Sequence, residues 1–408
     1  MSDTEPTSNN PEDGQLPEGW KVRELRDLVD VLDSIRKPIN SKERASREGQ
    51  VPYYGAAGQV GTIDVALFNE DLVLLGEDGV QFFDVDKPKA YEISGPSWVN
   101  NHAHVLRCRS EAYKQRLLVH YLNQFDYRNR ANGTTRLKLT QAAMNGIPVL
   151  TPPLAEQEQI VEILEEQLSR LDAALESVRV VREKAAQFRR SLLHAAFTGT
   201  LTGHNPSDGQ LPEGWNSYSL GEIESLKWIK LGRGKVISKR DIAANPGDYP
   251  IYSSAGLNGG EFGRYGEFLF DEELITWSVD GGGHLFYRPK HRFSVTNVGG
   301  WIRILDFQVF DYKYLYFALT YAHSQTVFDW SRKAHPSVIR LAYDSVPIPT
   351  RAEQERIVEI LEEQLSRLDA ALAVADAIEK RSAALRRSLL HAAFTGRLTE
   401  QWRESVHV

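Results

Sequence analysis

An apolar residue returns at every seventh position through Leu164, Leu171, Val178, Ala185 and Leu192, with Leu168 and Leu175 in the complementary register. The same spacing recurs at Leu361, Leu365, Leu368 and Leu372. A step of 3.5 residues predicts a helix with the a/d seam of a coiled coil. The seam is sharp in its first half and gives way farther on to Arg182, Arg189, Glu379 and Arg386. Start and stop signals bound both helices, over residues 152–199 and 351–396. Thr350 and Glu353 fit an S/T-x-x-E capping box, Pro152 and Pro153 suit a first turn, and Gly199 and Gly396 stand where a left-handed residue ends a helix. Each run is long for a compact domain, roughly 65 Å at 1.5 Å per residue.

The segments before these helices, residues 16–151 and 211–350, follow another rhythm. DLVLL (71–75), ELITWSV (273–279) and HLFYR (284–288) cluster apolar residues between Gly and Asp turns and predict strands. YKQRLLVHYLNQF (113–125) and YKYLYFALTYA (312–322) predict helices packed on a sheet. Each globular part is therefore expected to be α/β or α+β.

The two halves are copies of one unit. AEQEQIVEILEEQLSRLDAAL (155–175) returns as AEQERIVEILEEQLSRLDAAL (352–372), and RRSLLHAAFTG (189–199) returns unchanged at 386–396. NPEDGQLPEGW (10–20) returns as NPSDGQLPEGW (205–215), while the globular parts share only weak echoes such as VPYYGAAG (51–58) and YPIYSSAG (249–256). A lone helix of this length would leave its apolar stripe in water, so the two copies are expected to pack on each other. A pseudo-twofold axis makes them antiparallel, with a globular part at each end. The expected architecture is α+β overall: two α/β domains separated by two long antiparallel coiled-coil helices. The expected seam is Leu164, Leu168, Leu171, Leu175, Leu361, Leu365, Leu368 and Leu372. Residues 1–15 are expected to be a flexible tail, 200–210 a linker and 397–408 a C-terminal tail.

Composition narrows the class. The chain has 408 residues, 41% hydrophobic and 25% charged, as in a globular protein, and no apolar run reaches the roughly 20 residues of a membrane span. The polar N-terminus has no secretion-signal core. One cysteine, Cys108, allows no internal disulfide and no thiolate cluster, which suits a reducing cytoplasm. A net charge of −7 excludes coating nucleic acid through overall positive charge but leaves room for local basic patches.

Several features, each present twice and in order, carry a resemblance: the L-P-E-G-W openings at Leu16 and Leu211, and the strand ends Ile147-Pro148-Val149 and Val346-Pro347-Ile348. With them come the P-x-x-E-Q helix starts ending in Glu156-Gln157 and Glu353-Gln354, and the S-L-L-x-x-A-F-T-G closures. In the second copy the proline of the helix start is displaced by one residue. The chain resembles the specificity subunit of a type I restriction-modification system over almost its whole length. The resemblance implies two target-recognition domains, residues 16–151 and 211–350, each reading half of an asymmetric bipartite site on double-stranded DNA. It implies paired helices that set the spacing and dock two modification (methyltransferase) subunits, with restriction (motor-nuclease) subunits joining through the complex. The chain itself is then expected to be non-catalytic, with no cofactor. The (Asp/Asn)-Pro-Pro-(Tyr/Phe) string of adenine methylation is absent, and so is a G-x-x-x-x-G-K-[ST] phosphate loop. The rival readings are a stand-alone methyltransferase or nuclease, which lacks its motif, and a coiled-coil adaptor whose end domains bind proteins.

Candidate DNA contacts are basic clusters at matching places in both copies: Arg36, Lys37, Lys42, Arg44 and Arg47 with Tyr54, against Lys230, Arg233, Lys235, Lys239 and Arg240 with Tyr252. A second pair sets Arg128, Arg130, Arg136 and Lys138 against Arg332, Lys333, His335 and Arg340. Basic side chains on polar loops position phosphates, and an arginine can fork onto guanine. The plain alternative is solvated surface charge. DGGGH (280–284), matched in the first copy by Glu77-Asp78-Gly79, lies between two strands and predicts a hairpin turn rather than a phosphate cradle. His102 and His104 stand opposite Val298 and Gly300 and are expected to be structural, so no metal ligands are assigned.

Overall fold

A computed structural model describes residues 16–207, 210–254 and 258–406. The expected tail over residues 1–15 lies outside them. The chain forms two compact units, residues 1–178 with 377–408, and residues 179–376. Two α-helices of 44 residues each, Leu154–Phe197 and Arg351–Phe394, realise the heptad-patterned segments. The unit boundary falls inside both. Each unit therefore owns a globular domain, the first half of the helix that follows that domain, and the last part of the other helix.

In the first unit the strand Lys21–Glu24 pairs antiparallel with Pro148–Thr151, bringing the ends of the domain together. A four-stranded antiparallel sheet runs in the order Val29–Val31, Ala103–Cys108, Leu72–Gly76, Ala90–Ile93. The strand Leu72–Gly76 is buried throughout, as a central strand covered on both faces should be. A second sheet orders Gly58–Ile63, Val51–Gly55, Pro96–Val99 and Phe68–Asn69, with a parallel pair at Tyr53 and Trp98. The helix Gln115–Gln124 turns Leu117, Leu118 and Leu122 into one core with Val73, Leu75 and Leu106.

The second unit repeats this plan with the two sheets merged into one of six strands: Ile229–Arg233, Gly299–Ile304, Phe270–Ser278, Leu285–Val295, Tyr249–Tyr252 and Glu261–Tyr265. The difference is local. In the first domain Ser94 and Gly95, the latter at φ +69°, separate two short strands and Pro96 opens the second of them, whereas Leu285–Val295 runs on as one strand of eleven residues. The helix Tyr312–Gln325 covers this sheet. DGGGH makes the expected turn, with Gly281, Gly282 and Gly283 all at positive φ.

The verbatim repetition of RRSLLHAAFTG has a physical cause. Leu390, Ala393 and Phe394, at the end of the second long helix, are buried in the core of the first domain, where Phe394 meets Tyr121 edge-on at 5.1 Å. Leu192, Leu193, Ala196 and Phe197, at the end of the first, are buried with Tyr314 and Leu315 of the second domain. In both units the helices run antiparallel. Going from Arg182 to Arg189 along one helix goes back from Asp376 to Asp369 along the other, through ion pairs of 2.7 and 2.5 Å. Arg386 pairs with Asp172 in the first unit. These pairs are half exposed and contribute about 0.2–1 kcal/mol each. Burying each Leu or Phe contributes about 1.5–3 kcal/mol, so apolar packing holds the helices and charge sets their register.

Among the expected seam residues Leu164, Leu168 and Leu361 are buried, while Leu171, Leu175, Leu365, Leu368 and Leu372 are half-buried. Val178, Ala185, Ala375 and Ser382 continue the buried line. Those small residues fit the closest approach of two helices, so the burial outlasts the leucine pattern.

The Glu-Gln pair at each helix start is structural. Glu156 is buried and accepts from Trp20 Nε1 at 2.9 Å, from Thr399 Oγ1 at 2.6 Å, and from Arg403. Glu353 accepts from Thr202 at 2.7 Å, from Trp215 Nε1 at 3.3 Å, and faces His204 Nε2 at 2.6 Å. The expected capping box is thus half formed. Thr350 Oγ1 accepts from the Glu353 amide at 3.4 Å, but the carboxylate turns to the segment that follows the first helix. Gln157 and Gln354 each bond the loop ahead of the sheet-covering helix, Gln157 at Lys114 N and Gln354 at Asp311 N. The expected C-terminal tail contains the helix Glu400–Val406.

Candidate nucleic-acid interface

The candidate residues fall into two groups, those spent on internal contacts and those left to solvent. Arg36 belongs to the first. Its side chain is 13% exposed and bonds Glu77 at 2.8 Å and the Ala103 carbonyl at 2.7 Å, with Asp33 at 3.2 Å. Arg44 lies over the Tyr53 ring at 4.9 Å, while Arg47 lies over Trp98 at 4.7 Å and pairs with Asp64 at 2.7 Å. Tyr54 packs against Tyr91. Lys37 and Lys42 are exposed and make no ion pair among the described residues. Lys42 lies on the short helix Ser41–Ala45, capped by the Asn40 side chain.

In the second domain Lys230, Lys235, Lys239 and Arg240 are exposed. Lys239 and Arg240 open the helix Lys239–Ala244, whose capping box is formed by Ser238 and Asp241. Each copy thus sets basic residues in the first turn of a side-chain-capped helix, Lys42 in one and Lys239 with Arg240 in the other. Arg233 donates to the Asn297 carbonyl. Tyr252 is held between neighbours, with the Arg288 guanidinium 3.5 Å from its ring centre and His291 Nε2 at 3.1 Å from its hydroxyl.

The second pair of clusters returns to the end of the central strand. Arg136 pairs with Asp78 at 2.5 Å and Lys138 with Glu77 at 2.8 Å, so Arg36, Arg136 and Lys138 converge on adjacent acids. Burial alone would raise the Glu77 carboxyl. Hydrogen bonds from Lys138 and Arg36 and the charge of His104 outweigh that and hold it below the ordinary range. Arg128 lies 3.8 Å from Asp126, and Arg130 makes no ion pair among the described residues. In the second domain Lys333 reaches Asp280 at 3.4 Å and Arg332 lies 3.7 Å from Asp329. His335 caps the helix Pro336–Ala342 through its backbone, and Arg340 pairs with Glu224, bracing that helix from below.

His104 is buried, with Nδ1 2.6 Å from Asp33 and Nε2 2.9 Å from the Leu139 carbonyl, so both ring nitrogens serve the fold. Asp33, Glu77 and His104 bring their ligand atoms within 4.8 Å of one another, but the Arg36 guanidinium already supplies a cation there. His102 pairs with Asp78 at 2.9 Å.

Sequence reasoning missed Arg288, a buried arginine with no carboxylate hydrogen-bonded to it among the described residues. It bonds Thr276 Oγ1 at 3.0 Å and the Gly259 carbonyl at 2.6 Å, and burial pushes it down to about 10. It also missed the acids Asp78 and Asp280. An aspartate stands just past the central strand in both copies, but the glycines beside Asp280 carry a turn pattern as well.

The model for the type I restriction modification DNA specificity domain matches residues 17–177 and again 212–373. A protein of Haemophilus influenzae, provisionally named a type I restriction enzyme specificity subunit, is 26% identical over 382 residues, covering 85% of this chain and 89% of that one. Among solved structures, a chain described under complex assembly and conformational transition of the type I R-M system superposes with a TM-score of 0.61 at 17% identity. It covers 94% of this chain and 99% of its own. The HsdS subunit from Thermoanaerobacter tengcongensis gives 0.52 at 16%, with coverage of 94% and 99%. These likenesses speak for the fold, and the two matched segments coincide with the two repeats.

Proposed function

Since the chain belongs to the type I restriction modification DNA specificity family, we propose that its two domains, residues 16–151 and 211–350, each read one half of a bipartite site on double-stranded DNA. The long helices set the gap between the halves and dock two modification subunits. Methyl transfer and cleavage belong to those and to separate restriction subunits, and the chain works beside them in the cytoplasm. Lys37, Lys42, Arg128 and Arg130 in one domain, and Lys230, Lys235, Lys239 and Arg240 in the other, carry the phosphate contacts. Arg36, Arg44, Arg47 and Arg340 hold the surfaces that present them.

The observation that carries this reading is a contrast between packing and loops. Helix ends and helix starts are locked into domain cores through identical residues in both copies, whereas the segments bearing these cations diverge. A scaffold constrained twice with two different reading faces suits two different half-sites. Among the described residues no helix is long and apolar enough to cross a membrane.

The test is methylome sequencing of a host with and without the gene, followed by exchange of residues 16–151 for another domain. Loss of one methylated motif of two short blocks around a fixed gap is expected, and the exchange should alter one block only. Both blocks changing together would overturn the independent-reader model. An insertion in both helices over residues 173–182 should alter the gap and leave both blocks intact.

A further inference from the structure

The two domains share a junction that the repeat spacing conceals. In the first, the Glu77 amide donates to the His102 carbonyl at 2.8 Å, and the Leu139 amide donates to the Glu77 carbonyl at 2.8 Å. In the second, the Val279 amide donates to the Val298 carbonyl at 2.9 Å, and the Ala334 amide to the Val279 carbonyl at 2.7 Å. The same three segments therefore cross at one point, and the next residue is an aspartate in both cases, Asp78 and Asp280. Each has a cation from the returning segment laid over it from the solvent side. The Arg136 side chain is 57% exposed over Asp78, which is 15% exposed, and the Lys333 side chain is 68% exposed over Asp280, which is 32% exposed.

Two further facts mark the second junction as incomplete. Among the described residues Asp280 Oδ1 is buried with no hydrogen-bond partner, and so is Trp330 Nε1 on the returning segment. A carboxylate oxygen left without a donor is costly unless something else supplies one. Gly283 packs against the Trp330 ring, which stacks on His323 at a centroid distance of 4.1 Å. At the first junction a hollow of about 530 Å³, lined by Gly79, Gln81, Phe83, Thr135 and Arg136, adjoins the residue after Asp78 and the arginine that covers it.

A carboxylate is a poor neighbour for a phosphate backbone and a good acceptor for a base amino group. An exposed cation covering it stabilises little and is easily drawn to a phosphate. We propose that Asp78 and Asp280 are specificity-determining residues, each accepting a hydrogen bond from the exocyclic amino group of one cytosine or adenine in its own half-site. Arg136 and Lys333 leave the aspartates for phosphates as this happens. The inference rests on the reading of the two domains as DNA readers and names chemistry within it.

The experiment takes the chain assembled with its modification subunit and selects duplexes from a randomised pool, for the native chain and for Asp78→Asn and Asp280→Asn separately. Asparagine keeps one acceptor oxygen and adds a donor that suits guanine O6 or thymine O4. Each variant should lose about tenfold discrimination at a single amino-bearing position of one block, with the other block unchanged. The recovered base separates cytosine from adenine. Unchanged blocks in both variants overturn the inference, as does an even loss of affinity across all sequences. A native complex without sequence preference instead overturns the DNA-reading function on which the inference depends. Should Asp78→Asn fail to fold, Asp280→Asn and Lys333→Met decide the matter. Lys333→Met should weaken binding evenly and keep the base preference, and loss of that preference would count against the proposal.

Discussion

Truncating Phe394 tests the claim that each long helix ends inside the domain of the other repeat. Phe394 is 4% exposed and lies in one core with Leu390, Ala393, Tyr121 and Leu122. Phe394→Ala removes a buried aromatic and its edge contact on Tyr121, which costs about 3–5 kcal/mol. For a unit of this size each kcal/mol shifts the melting midpoint by about 2–4 °C, so that transition should fall by roughly 6–20 °C. Hydrogen exchange locates the damage. Amides of Gln115–Gln124 should lose protection, while those of Tyr312–Gln325 keep theirs. Phe197→Ala should do the reverse, since Phe197 is 1% exposed against Tyr314 and Tyr321. If Phe394→Ala instead deprotects Tyr312–Gln325, the helix ends serve their own repeat and the exchange is refuted.

Three other outcomes follow from the structure. Glu156→Gln leaves Arg403 facing a neutral amide in a buried site, so the first unit should lose about 3 kcal/mol, read by urea denaturation; a loss under half a kcal/mol would show the latch to be idle. His323 is held down to about 4 by burial and the nearby charge of His284, against 6.5 when free. Between pH 6.5 and 4 the unfolded chain therefore binds a proton that the folded chain refuses, so stability of the second unit falls as pH drops through that window. After allowing for partial solvent screening the loss is about 1–2 kcal/mol, and His323→Phe should flatten that stretch of the stability–pH curve. Lys239→Ala should weaken DNA binding by the same factor on specific and random duplexes and reduce the slope of log affinity against log salt by about one; a sequence-dependent effect would mean that Lys239 reads bases.

Residues 155–175 and 189–199 and their copies determined much of this protein unaided. Period and caps predicted two long helices, realised as Leu154–Phe197 and Arg351–Phe394, and Gly199 and Gly396 take the expected left-handed ends at φ +86° and +75°. The duplication, the mixed sheet-and-helix domains and the family were legible too, because repeats and amphipathic periods are local patterns. What each helix end touches was not. RRSLLHAAFTG carries no mark of which domain its leucines enter, since burial depends on residues far away in sequence, such as Tyr121 for Phe394 and Tyr314 for Phe197. The same limit held at the reading faces. Arg36 and Lys37 are neighbours of equal formal charge, yet one is spent on Glu77 and the other faces water. Side-chain type is written in the sequence, but whether a charge is paired depends on which acids the tertiary fold brings within about 4 Å of it, and only the assembled sheets decide that.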